Sequence, residues 1–401
     1  MTGGGAAGMA VVGAGGYAAA HPGDPRADTV PFLGPHQAGV TTPPQERLMF
    51  AAFDLTLTTA AELRDLLRAW THAAALMTAG RPVGSPAGAP DVAPADTGEA
   101  VGLRPARLTL TFGLGPGVFL QGGHDRFGLA SRRPQALRPI GPLPGDRLVA
   151  AISGGDLCVQ ACADDPQVAF HAVRDLARIG RGAVVMRWTQ LGFGRAAATS
   201  KSQATPRNLQ GFKDGTNNLA AADAAEMRRF VWVGGDEPQA WMRGGTYVVT
   251  RRIRMFIEKW DRSQLSDQEE TIGRSKLSGA PLGEHAEHDP VNLRARNPDG
   301  TLVIPAAAHI REASHVTNDG VRILRRGYSF TDGIDPETGD LDAGLFFVCF
   351  QRDPHAQFAV LQRRLGASDA LNEYIQHTSS AVFAVPAGIR QGGYVAEELF
   401  R

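Results

Sequence analysis

The apolar residues of this chain switch between two periods, and the switching pattern occurs twice. In the first half, period-two or continuous apolar runs over residues 47–57, 108–114, 157–163 and 183–191 predict strands. Helical spacing of Leu63, Leu66, Leu67, Trp70 and Ala74 predicts a helix over 60–77. A second helix starts at Asp165-Pro166 and continues through Val173, Leu176 and Ile179. The order is β-α-β-β-α-β, the split ferredoxin-like unit. The second half repeats it. Strands are predicted at 230–234, 245–256, 344–350 and 381–385, with polar helices at 257–262 and 266–275. An amphipathic helix follows at 355–365, extended by 371–375. Two such units predict an α+β fold of two packed antiparallel sheets with helices outside. Small and polar residues at 198–208 mark the boundary. The expected division is a leader-like segment 1–30, an N-terminal domain 31–200 and a C-terminal domain 201–401.

Composition narrows the function. Of 401 residues, 41 are basic and 41 acidic, which argues against binding nucleic acid by bulk charge. Three cysteines cannot form a disulfide scaffold, and no Cys-x-x-Cys occurs, so a thiolate zinc site is not expected. Cys158 and Cys162 fall on one face of their strand by period two. Residues 2–20 are small, weakly apolar and uncharged, and a polar Pro-rich run follows. This resembles the apolar region of an export signal, although no Arg or Lys precedes Arg26. Its low hydrophobicity is typical of twin-arginine signals, so export of the folded chain is expected, with the true start upstream of Met1. A plain Gly/Ala tail is the bland alternative. No other stretch reaches 18 apolar residues, and stable membrane insertion is not expected.

Three motifs carry chemistry. The first is Gln210-Gly-Phe-Lys-Asp-Gly-Thr-Asn-Asn218, alone no more than an Asp-Gly turn. The second is His309-Ile-Arg311. The third is Arg325-Arg-Gly-Tyr-Ser-Phe330, followed by Gly344-Leu-Phe-Phe-Val-Cys-Phe-Gln351. Together they resemble the dye-decolourising peroxidases, haem enzymes built on paired ferredoxin-like domains of the dimeric α+β barrel type. Phe32–Pro43, Gly155–Cys162, Thr271–Leu282 and Tyr374–Ser380 extend the resemblance from about residue 31 to the end. The exported, deferrochelatase-like branch is the most similar.

The resemblance implies one haem b per chain, held noncovalently in the C-terminal half. His309 matches the axial ligand to the iron, with His315 a rival six residues on. Asp214 matches the acid that moves peroxide's proton. Arg325 matches the fixed charge that stabilises the breaking O–O bond, with Arg326 as runner-up. Leu345 and Phe347, two apart on a strand, match the apolar roof. Gly215, Thr216 and Asn217 are expected at the haem edge, Arg311 on a propionate, and Ser314, His315 and Val316 along the haem. The implied reaction reduces hydrogen peroxide and oxidises dyes, phenols or another one-electron donor. Release of iron from haem, and haem binding without turnover, are the alternatives. A surface Trp or Tyr is expected to carry electrons from large dyes. Homo-oligomerisation stays open.

Overall fold

The computed structural model describes residues 28–195 and 205–401. The leader-like segment 2–20 and most of the expected boundary at 198–208 lie outside the described residues. In the N-terminal half the elements are β1 (Arg47–Leu55), α1 (Ala60–Thr78), β2 (Thr109–Leu114), β3 (Leu157–Ala163), α2 (Pro166–Ile179) and β4 (Val184–Arg195). Its sheet runs β2-β3-β1-β4 and is antiparallel.

The C-terminal half comprises α3 (Ala224–Phe230), β5 (Thr246–Met255), α4 (Ile257–Asp261), α5 (Leu265–Ile272) and α6 (His309–Glu312). After these come β6 (Leu324–Arg325), β7 (Tyr328–Ile334), β8 (Leu341–Gln351), α7 (Phe358–Ser368) and β9 (Ile375–Val385). Here β9-β5-β8-β7 repeats the strand order of the first half. β2 meets β9 at Leu114 and Ala384, and β4 meets β7 at Phe193 and Ser329. The two sheets therefore join edge to edge in a barrel-like closure, which removes free sheet edges. The α+β, double ferredoxin-like fold expected from the sequence is the one observed.

Strand alternation divides the core in two. Leu48, Phe50 and Ala52 of β1, Cys158 and Cys162 of β3, and Phe346, Val348 and Phe350 of β8 point into the barrel. Met49, Ala51, Phe53 and Leu55 of β1 point outward, against α1 and α2. Helix α1 starts with a capping box between Thr59 and Glu62. Helix α2 starts with Asp165 capping Gln167 N at 2.7 Å and Pro166 in the first turn. All three cysteines are buried and free.

Two expectations are corrected. Residues 230–234 are not a strand. Asp223 accepts hydrogen bonds from Ala225 N and Glu226 N, both at 3.0 Å, and this cap starts α3, which runs to Phe230. Val231 and Trp232 then pack as a buried turn against the barrel core. Residues 371–375 do not extend a helix. α7 ends at Ser368, Asp369 caps a short 3₁₀ turn over Ala370–Glu373, and β9 begins at Ile375. No helix among the described residues is long and apolar enough to cross a membrane.

Candidate active site

On the outer face of the C-terminal sheet, where the N-terminal half carries its two long helices, there is a cavity of about 490 Å³. Ile253, Met255, Leu345 and Phe347 form its apolar sheet wall. Side chains of α7, among them Phe358, Leu361 and Leu365, close one side. The chain between α5 and α6 supplies Glu287, His288 and Asp289.

His309 stands at the start of α6 and reaches into this cavity. Its Nδ1 lies 2.6 Å from Asp369 Oδ2. Asp369 is held in turn by Leu371 N at 2.9 Å, and Ala370 N donates to Ala307 O at 2.8 Å. The pair is thus fixed by backbone on both sides. Burial of the ring lowers its pKa, but the charge and hydrogen bond of Asp369 together with the charge of Asp214 outweigh it, and the pKa is raised overall. A neutral ring donates Nδ1–H to Asp369, which leaves the Nε2 lone pair facing the cavity. Gly273 helps seat this segment. Its φ is +87°, and a Cβ there would lie 2.7 Å from Ile310 Cγ1.

A second ion pair lines the same cavity. Arg325 donates from Nη1 to Asp214 Oδ1 at 2.6 Å. Asn218 clamps the Arg325 backbone: its Oδ1 accepts from Arg325 N at 2.9 Å, and its amide donates to Arg325 O at 2.8 Å. Asp214 and Arg325 are close enough to act electrostatically on His309. Gly215, with φ of +111°, turns the chain directly after Asp214. Thr216 Oγ1 donates to Glu287 Oε1 at 3.0 Å.

Family comparison decides the class of this site. The C-terminal Dyp-type peroxidase model matches residues 205–390, and the N-terminal one matches residues 37–194. The chain belongs to the Dyp-type peroxidase family. It is a haem-dependent peroxidase, with haem b as cofactor and hydrogen peroxide and an electron donor as substrates. The deferrochelatase of Escherichia coli K12 is 38% identical over 384 residues, covering 94% of this chain and 89% of the relative. That of Yersinia pestis is 39% identical over 383 residues, covering 94% and 86%. A DyP-type peroxidase from Streptomyces coelicolor is similar in structure, with TM-score 0.84, 40% identity, and 93% and 97% of the two chains covered. Ferric DtpA from Streptomyces lividans has TM-score 0.83 and 41% identity, with 92% and 96% covered.

In this peroxidase the expected site residues are mostly gathered in one place. Asp214, Gly215, Thr216, Asn217, His309, Ser314, His315, Val316, Arg325, Leu345 and Phe347 all line the cavity. Arg311 does not. Its guanidinium donates to Pro305 O at 3.0 Å and Ile304 O at 2.7 Å, bracing the loop before His309. Arg326 is fully buried on the far side, donating to Thr42 O and Gln45 Oε1. Two residues at the cavity were not singled out from sequence. Asp369 was invisible because it meets His309 only in the tertiary fold, sixty residues on. Arg274 is buried at the cavity wall, donating to Gly279 O at 2.7 Å and Glu287 O at 3.0 Å.

The residues present fit a haem. The cavity has an apolar wall for a flat macrocycle and one imidazole with a free, oriented nitrogen. The carboxylate behind that imidazole is the usual partner of a metal-bound histidine. Arg274 and Arg325 supply positive charge for anionic substituents.

Proposed function

We propose that His309 is the axial ligand to the haem iron, oriented by Asp369, and that Asp214 and Arg325 act on peroxide. The reading rests on one observation: the His309–Asp369 and Asp214–Arg325 pairs open into a single cavity. Haem, when bound, would supply the redox chemistry that reduces peroxide at the expense of the donor. Asp214 takes the proton from peroxide's near oxygen and returns it to the departing one. Arg325 holds a fixed charge beside that departing oxygen in a poorly solvated site. Asn218 keeps Arg325 in place. Leu345 and Phe347 restrict the approach to small peroxides. Arg274, not Arg311, is our candidate for an anionic haem edge. His309→Ala is expected to lose haem or its five-coordinate ferric spectrum. A normal haem content and spectrum in that variant would move the ligand to His315.

We further divide the chain into domains 31–200 and 201–401. The weakly apolar segment 2–20 supports export of the folded haemoprotein, and cell fractionation tests it. The relatives named deferrochelatase support a second reading, release of iron from haem. Metal-free porphyrin accumulating from haem under reducing conditions would favour it over dye oxidation.

A further inference from the structure

We propose that the N-terminal half carries a second metal site, for a divalent first-row cation of the Zn²⁺ kind, formed by Asp96, His171 and Asp175. None of the three lines the haem cavity. His171 and Asp175 lie one turn apart on α2, so they share a helix face. Asp96 comes from the Pro/Gly/Ala-rich loop over residues 80–102, which has no regular element.

All three side chains are buried, with Asp175 at 0%, Asp96 at 1% and His171 at 4% exposure. Their candidate ligand atoms all lie within 4.8 Å of one another. His171 Nε2 is 3.4 Å from Asp175 Oδ2 and 3.7 Å from Asp96 Oδ2. Those separations are poor hydrogen bonds. They suit ligand atoms around one cation. With metal–ligand bonds of about 2.0–2.2 Å, the edges of a tetrahedron are about 3.3–3.6 Å.

Hydrogen bonds already made around these side chains aim the three inward. His171 Nδ1 lies 3.0 Å from Glu99 Oε2. A proton on Nδ1 satisfies Glu99 and turns the Nε2 lone pair toward Asp96 and Asp175. That is the carboxylate–histidine arrangement that fixes the tautomer of a metal-binding ring. Asp175 Oδ1 accepts from Thr97 N and Arg178 Nε, both at 3.2 Å. Asp175 Oδ2 is buried and accepts no hydrogen bond. A buried carboxylate oxygen without a donor is costly, and a cation at this point removes the cost. Asp96 is preset by Gly98 N on Oδ1 and by Val83 N on Oδ2, each at 2.8 Å, and Oδ2 keeps a further lone pair for a cation. One imidazole with two carboxylates suits zinc or manganese, not a thiophilic ion. The rival occupant is a proton on Nε2, whose N–H would point between two oxygens beyond good hydrogen-bonding distance.

A cation here would staple loop 80–102 to α2. The test uses the haem-loaded protein, treated with chelator and then titrated with Zn²⁺ by calorimetry. One equivalent per chain is expected to bind, raise Tm and slow proteolysis within residues 80–102. Asp175→Asn should abolish that binding while leaving the haem spectrum unchanged. Glu99→Gln should weaken it by about 10–100-fold, as second-layer partners of metal ligands do. Should Asp175→Asn not fold, Asp96→Asn on the loop carries the same expectation. No saturable binding by the wild type overturns the proposal. So does equal binding by the Asp variant that folds, which would put the ion elsewhere, for example at His285 and His288.

Discussion

The two halves of the molecule are the same topological unit put to opposite uses. In the N-terminal half, α1 and α2 cover the outer sheet face with Leu63, Leu67, Trp70, Val173 and Leu176, and the face is solid. In the C-terminal half the corresponding face carries only α7 and a set of short helices and loops, and it is hollow. The barrel interior is shared, packed with Phe50, Trp188, Phe346 and Phe383. One half therefore supplies rigidity, and the other can spend its outer face on a cofactor.

Truncation should hurt the solid face most. Trp70 is 1% exposed and donates to Leu176 O at 2.8 Å. Trp70→Ala is expected to cost about 3–5 kcal/mol, seen as a lower denaturant midpoint with an unchanged haem spectrum. Phe347→Ala on the hollow face should cost less, because Phe347 is only partly buried and already borders a cavity. That variant should instead react faster with bulky organic hydroperoxides. Equal destabilisation by the two changes would erase the contrast between the faces.

Next in size is the support behind the proposed axial ligand. Asp369→Asn keeps the shape and removes the charge. A loss of about 10–100-fold in haem affinity or peroxide reactivity is expected, with a shifted haem absorbance. The smallest effect at neutral pH comes from His377. Burial, and then the charge of Arg251, lower its pKa from 6.5 to about 3. Unfolded, the ring takes up a proton near pH 6.5; folded, it does not until about pH 3. The unfolded chain thus binds more protons across that window, and stability falls as pH drops through it. His377→Gln should flatten this part of a Tm-against-pH curve and leave Tm at pH 8 little changed.

The solid half was the more legible in sequence. Its helices are long and amphipathic, so period locates α1, and period with the Asp165-Pro166 start locates α2, nearly to the residue. The hollow half breaks those signals because its segments answer to a cavity. Residues 230–234 look like a strand, yet Asp223 starts a helix before them and Trp232 is needed as a core plug. The choice between Arg325 and Arg326 was readable in principle. Leu324 faces the barrel, so alternation turns Arg325 outward to the cavity and Arg326 inward. Asp369 carries no such local signal, since what matters is the side chain it meets across the fold, and Arg274 lies in the Thr271–Leu282 segment whose residues were given no separate roles.

The most direct test of the hollow half as a peroxide-reducing site is stopped-flow mixing of the ferric protein with hydrogen peroxide. Wild type, Asp214→Ala and Arg325→Leu are compared at equal haem content. Arg325→Leu should slow the reaction by about 10²–10³-fold. Asp214→Ala should slow it by roughly 10²–10⁴-fold where no water or neighbour substitutes. Near wild-type rates in both variants would contradict the roles assigned to this pair.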